Sequence, residues 1–193
     1  MGCETGILKS VTSDCTTQPV GGIEVVCYAI NRLDIATKDI NTLKPNLIEG
    51  LTLAAGKLAY KIKGARKNLN CGYDRVVSDD MADTFKHIFS FYGFEFDSAS
   101  VLNMDGLHDL VIIVENKEKS SVDGTFAIYG LKSGLYPTSD TKRANDSQGV
   151  RKIELASRDQ ENEPHSQWNL LKIDYATTKA MLEDLCVVPN TGE

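Results

Sequence analysis

The chain carries 193 residues, 41% of them apolar and 25% charged, enough to bury a core in one domain without metals or disulfides. Its 27 acidic and 21 basic residues leave a formal charge of -6 and a pI near 5.1, which excludes a general nucleic-acid binder, since phosphate contacts need a concentrated excess of Lys and Arg. No apolar run approaches the roughly 20 residues that cross a membrane as a helix, so the expectation is a folded, soluble protein with no membrane partner.

Residues 1–22 read as an N-terminal arm. Gly6 stands where the myristoylation pattern needs Ser or Thr, and no charged and apolar signal region precedes Cys3, so the chain is expected to stay in the cytoplasm where it is made. Thr16 to Gly22 is turn chemistry, and Ile23 to Ile30 is rich in β-formers, a first strand. Leu47 to Leu53 and Leu58 to Lys63 are predicted to pair as a hairpin around Ala54-Ala55-Gly56-Lys57, with Leu58, Tyr60 and Ile62 on one face and Lys57, Lys61 and Lys63 framing the other. A protruding hairpin or loop is expected within 47–83, and Tyr73 to Ser78 reads as another strand.

From Thr84 to Phe96 the large residues occupy odd positions as far as Phe91 and even positions from Tyr92, which predicts a long strand that bends or bulges near Gly93. Asp97 to Asp105 reads as a short capped helix, Leu110 to Val114 as a central buried strand and Gly124 to Leu131 as its antiparallel neighbour. Pro137 to Gly149 reads as a polar loop and Val150 to Ser157 as a strand. Asp174 is placed to cap a helix over Tyr175 to Cys186, in which Thr178, Met181, Leu182 and Leu185 recur at helical spacing. Many short antiparallel strands with one firm helix predict a mainly β fold: an antiparallel β-sandwich or partly open β-barrel with a flanking C-terminal α-helix, in a single domain over 1–193.

The residues suited to chemistry form no motif. Cys3, Cys15, Cys27, Cys71 and Cys186 include no CxxC or Cys/His pair at zinc spacing. Gly50 and Gly56-Lys57 miss the phosphate-loop spacing, and Leu58 stands where Ser or Thr would meet magnesium. His87, His108 and His165 lack ligand spacing and a Gly-x-Ser-x-Gly elbow, and His87 reads as a packed residue of the Phe-rich strand. Asp79-Asp80 with Asp83, and Asp159 with Glu161 and Glu163, lack the spacing and glycine of a calcium loop. The expectation is therefore no enzyme, no cofactor and no metal. Lys57, Lys61, Lys63, Arg66 and Lys67 form one local basic patch near Tyr60 and Tyr73. It fits a solvated hairpin, a small nucleic-acid groove, or a contact with the acidic loop of a neighbouring copy, for which Asp79, Asp80 and Asp83 are the candidates.

Ser147 to Ser157, followed by Glu163-Pro164 and by Lys172 to Thr178, resembles the C-terminal third of virion structural proteins of tailed bacteriophages, most of all major tail tube proteins. Asp14-Cys15 with Pro19 to Glu24, Val114-Glu115-Asn116, and Phe126 to Gly130 with Ser133 to Tyr136 extend the resemblance in order over nearly the full length. It implies a β-sandwich flanked by a helix, six copies closing into a ring, and rings stacking into a tube through which DNA passes without specific binding. Strands of neighbouring copies would join into a continuous inner barrel, removing their open edges, and an acidic lumen would repel the phosphate backbone. The implied partners are further copies of the chain and other tail or connector proteins, and the implied location is the virion tail. Two other classes stay open: a connector, ring or head decoration protein of the same kind of virion, and a small binding module.

Overall fold

The run Leu110-Val111-Ile112-Ile113-Val114 leaves its strand no polar face, so the fold must cover both sides of it. In the computed structural model, which describes residues 20–64, 68–79, 82–119, 121–145 and 149–187, all five are buried. The strands are β1 (Ile23–Asn31), β2 (Ile35–Ile40), β3 (Leu47–Leu53), β4 (Tyr60–Lys63), β5 (Leu69–Val76), β6 (Thr84–Gly93), β7 (Leu110–Asn116), β8 (Phe126–Tyr129), β9 (Tyr136–Lys142), β10 (Arg151–Ala156) and β11 (Trp168–Leu170). Helix α1 (Ser98–Asp105) lies between β6 and β7, and α2 (Tyr175–Asp184) follows β11.

A seven-stranded sheet runs in the order β2-β3-β11-β8-β7-β1-β4, and a four-stranded sheet in the order β5-β6-β10-β9. Every pairing is antiparallel except that of β11 with β3. Because side chains alternate along a strand, β1 and β7 send successive residues to two different layers. Cys27, Ala29, Ile112 and Val114 meet Phe89, Phe91, Ile153 and Leu155 of the small sheet. Tyr28, Ile30, Val111 and Ile113 instead pack toward Leu182, Met181 and Leu185 of α2 and its C-terminal turn. Each Val, Leu, Ile, Phe or Met side chain among them taken fully out of water contributes roughly 1.5–3 kcal/mol. The result is a sandwich of two sheets with the helix laid on the outer face of the larger one.

Both helices start where a carboxylate satisfies free N–H groups. Asp97 accepts from Ala99 and Ser100 N–H, each at 3.1 Å, and Asp174 accepts from Thr177 N–H at 2.7 Å.

Several expectations need correction. Strands β3 and β4 exist but do not form a hairpin: β3 lies between β2 and β11, while β4 is the opposite edge of the sheet. The connection 54–59 crosses at the C-terminal end of α2, where Ala59 N–H donates to Leu185 O at 2.8 Å, so a buried tertiary contact overrides the local turn. The exposed hairpin is β2–β3, with Leu43 at its tip 89% exposed. Strand β6 does not bulge at Gly93; its register against β10 is regular to the Arg151–Gly93 pair, and Phe94 and Phe96 leave the sheet. Met104 Sδ fills the room, 2.6 Å from where a Cβ on Gly93 would sit. The first six residues of the polar loop predicted at 137–149 belong to strand β9, whose edge position lets it stay polar.

Gly130 (φ +76) turns the chain after β8, and a Cβ there would lie 2.7 Å from Leu135 Cγ and 2.9 Å from Leu110 O. Gly56 (φ +75) makes the same backbone demand with nothing within 4 Å. Gly130→Ala should cost about 3 kcal/mol and Gly56→Ala about 1 kcal/mol, read from urea unfolding midpoints; equal losses would show that backbone conformation alone sets the cost.

Candidate assembly surface

Buried polar groups meet where the two sheets and the loop 157–167 join. Glu163 is fully buried; its Oε1 accepts from Lys132 N–H, Ser133 N–H and Ser133 Oγ, each at 2.8 Å, and its Oε2 accepts from Trp168 Nε1 at 2.8 Å. Burial pushes this carboxyl up, but the donors of Ser133, Trp168 and Lys132 outweigh it and hold the group below the usual carboxylate range. Ser157 Oγ lies 3.1 Å from Ser133 Oγ and accepts from His87 N–H at 3.2 Å.

The His87 ring is equally committed. Its Nδ1 accepts from Gly130 N–H at 3.0 Å, so Nε2 carries the proton and donates to His165 O at 2.9 Å. Burial holds His87 below the ordinary imidazole range against the pull of Glu163. Ser, His and Glu are thus close together, yet neither ring nitrogen reaches a serine hydroxyl, and no nucleophile is activated. The cluster ties the loop to both sheets.

A second carboxylate seats α2. Glu115, 3% exposed at the end of β7, accepts from Lys119 Nζ at 2.6 Å and Tyr175 Oη at 2.9 Å on one oxygen and from Lys179 Nζ at 2.6 Å on the other. Burial raises its pKa, and these partners reverse the shift to below the usual range. Toward the far end of the helix, Glu183 accepts from Tyr28 Oη at 2.6 Å and from Lys61 Nζ.

The structure disperses the predicted basic patch. Lys57 pairs with Asp34 at 3.1 Å, Lys61 pairs with Glu183, and Lys63, at the far end of β4, is exposed and makes no ion pair among the described residues. Arg66, Lys67 and Asp80 lie outside the described residues. Asp79 is exposed after β5, while Asp83 pairs with Arg75 at 3.5 Å. The two acidic stretches are brought side by side: Phe85 and Glu163 exchange backbone hydrogen bonds at 2.9 Å, and Lys86 pairs with Asp159 at 2.9 Å. Among the described residues no group of three or more His, Cys, Asp or Glu could hold a metal ion.

The small sheet is different in kind. Its inner face is core, but no element among the described strands and helices forms a layer on its outer face. Asn70, Ser90, Glu154 and Ser139 align across the four strands there, next to a row of Tyr92, Lys152 and Thr141. Lys152 pairs with Glu154 at 2.5 Å, and Lys86 stands opposite Asp74. Neither β5 nor β9 has a strand on its outer side among the described residues. Because four strands alternate in direction, these two edges run antiparallel, and β9 of one copy is oriented to continue β5 of the next.

Neither a protein-family model nor a curated protein nor a solved structure matches the chain. The sequence reading missed Glu163, Ser133 and Ser157 as a unit, since Glu163 stands in a stretch that resembles a solvated acidic loop. The available signal was Trp168, the sole tryptophan, whose indole N–H needs an acceptor when buried.

Glu163→Ala strands four hydrogen-bond contacts in the core and should cost about 3 kcal/mol or more in urea unfolding. His87 is depressed in the folded state, so between its lowered pKa and about 6.5 the unfolded chain binds more protons. Its contribution is complete above about pH 6.5 and is lost as pH falls; the depressed Glu163 and Glu115 add a further loss as pH falls below about 4.5. Unfolding midpoints measured from pH 8 to pH 4 should decline from about pH 6.5, and His87→Gln should flatten the upper part of that decline.

Proposed function

We propose that this chain is a structural subunit that joins copies of itself edge to edge into a ring, and that such rings stack as a bacteriophage tail tube, a conduit for DNA. The observation that carries the reading is the small sheet: among the described residues its two mutually antiparallel edges carry no further strand and flank a largely polar face that no helix covers, on a domain whose larger sheet is covered by α2. An unpaired row of N–H and C=O groups is an aggregation hazard for a lone molecule. Closure around a ring satisfies both edges at once.

In that arrangement the face without a helix lines the lumen. Asn70, Ser90, Ser139 and Thr141 make it polar; Lys86 pairs with Asp159 and stands opposite Asp74, and Lys152 pairs with Glu154. The lining is therefore near neutral, in place of the acidic one the resemblance implies, and a passing duplex meets neither strong attraction nor strong repulsion from it. The sequence resemblance of residues 147–157, 163–164 and 172–178 supports the same assignment. Six copies per ring, tail and connector partners, and a place in the virion tail belong to this proposal, which assigns no catalysis.

Negative-stain electron microscopy across a concentration series should show rings or hollow tubes, and a monomer at every concentration overturns the reading. Asn70→Lys with Thr141→Lys places like charges on both sides of the seam at exposed positions. That variant should keep its unfolding midpoint and lose its rings; intact rings would move the seam away from β5 and β9.

A further inference from the structure

We infer that residues 164–167 form a flap latched by the His87 ring, and that a second proton on this ring releases the flap. The site offers the ring one donor and one acceptor, both from backbone. Gly130 N–H donates to Nδ1 at 3.0 Å, and His165 O lies 2.9 Å from Nε2. A neutral imidazole matches that pair. An imidazolium carries an N–H on each nitrogen, so one of them meets the Gly130 donor instead of an acceptor.

The sheet side of this arrangement is fixed. Gly130 turns at φ +76 with Leu135 Cγ 2.7 Å and Leu110 O 2.9 Å from its Cβ position, and its carbonyl accepts from Gly134 N–H at 2.9 Å. The His87 backbone is held by Ser157 through both groups: its N–H donates to Ser157 Oγ at 3.2 Å, and its carbonyl accepts from Ser157 N–H at 3.0 Å. The ring is fully buried, edge-on to Tyr129 with centroids 5.2 Å apart. The side that can yield is the stretch carrying His165 O. Glu163 and Trp168 are buried and joined by the indole N–H at 2.8 Å, so they anchor both ends of 164–167. Between these anchors Pro164 is exposed, and His165, Ser166 and Gln167 are half-buried. Four residues between two fixed points can lift while both sheets stay intact.

Among the described residues, the charged and titratable groups around the ring are Glu163 and His165 from the loop, Tyr129 from β8 and Tyr73 opposite it on β5, with Lys132 acting on His165. Burial opposes the second proton by more than Glu163 and the backbone of His165 and Ser166 favour it. Lifting the flap removes that burial. The open form then takes up the proton near the ordinary imidazole value of about 6.5, while the closed form stays neutral to lower pH. Opening therefore grows about tenfold for each pH unit below about 6.5, until the closed ring is protonated as well.

Amide hydrogen exchange, with each rate divided by the intrinsic rate at the same pH, tests the latch in the full chain. Between about pH 7.5 and about pH 5.5 the amides of His165, Ser166 and Gln167 should open about tenfold more, while those of β7 and β10 hold. His165→Gln removes the flap's own titrating ring and leaves the backbone carbonyl, so the pH dependence should persist. His87→Gln offers a donor and an acceptor that do not titrate, and should abolish it. Should His87→Gln not fold, His165→Gln decides alone, because it leaves His87 as the titrating ring at this site. Corrected exchange at 165–167 that ignores pH overturns the inference, and so does a pH dependence that survives in His87→Gln or vanishes in His165→Gln. Acceleration shared equally by β7 and β10 overturns it too, since that is global unfolding.

Discussion

Strand β7 buried on both faces is the constraint from which the rest of the architecture follows. A strand with no polar face cannot lie on a two-layer surface open to water, and the chain resolves this by assigning alternate residues to two different partners. The small sheet takes one side and α2 the other. That division leaves one layer, the small sheet, whose outer face has no partner among the described residues.

Polar ties then decide how the layers are held. Glu163 and Glu115 are both buried carboxylates, yet they work by different means. Glu163 has no cation partner and is satisfied by backbone, hydroxyl and indole donors, which carry direction as well as energy and so hold loops 131–135 and 157–167 in one geometry. Glu115 gathers Lys119, Lys179 and Tyr175, which seats α2 against the sheet. With Lys61 and Lys57 drawn into pairs with Glu183 and Asp34, cations that look available in sequence are spent on holding this fold together. Among the described residues, the strands left without an outer neighbour are β2 and β4 of the large sheet and β5 and β9 of the small one.

The sequence by itself determined the elements whose causes are local. The apolar run of β7, its neighbour β8, the Asp174 cap and the spacing of Leu182 and Met181 in α2 state their own burial, and together they make a mainly β sandwich with a C-terminal helix legible. Tertiary structure alone decided which strands pair, because alternation says that a strand has two faces and nothing about its neighbour. So β3 and β4, adjacent in sequence, end near opposite sides of one sheet, and polar β9 hides as a loop until β10 gives it a partner. The candidate surface follows the same rule: Lys57, Lys61 and Lys63 form one patch in sequence, but only folding reveals that Asp34 and Glu183 claim two of them and leave the third exposed, since the reach of a charge is set by distance in space and not by separation along the chain.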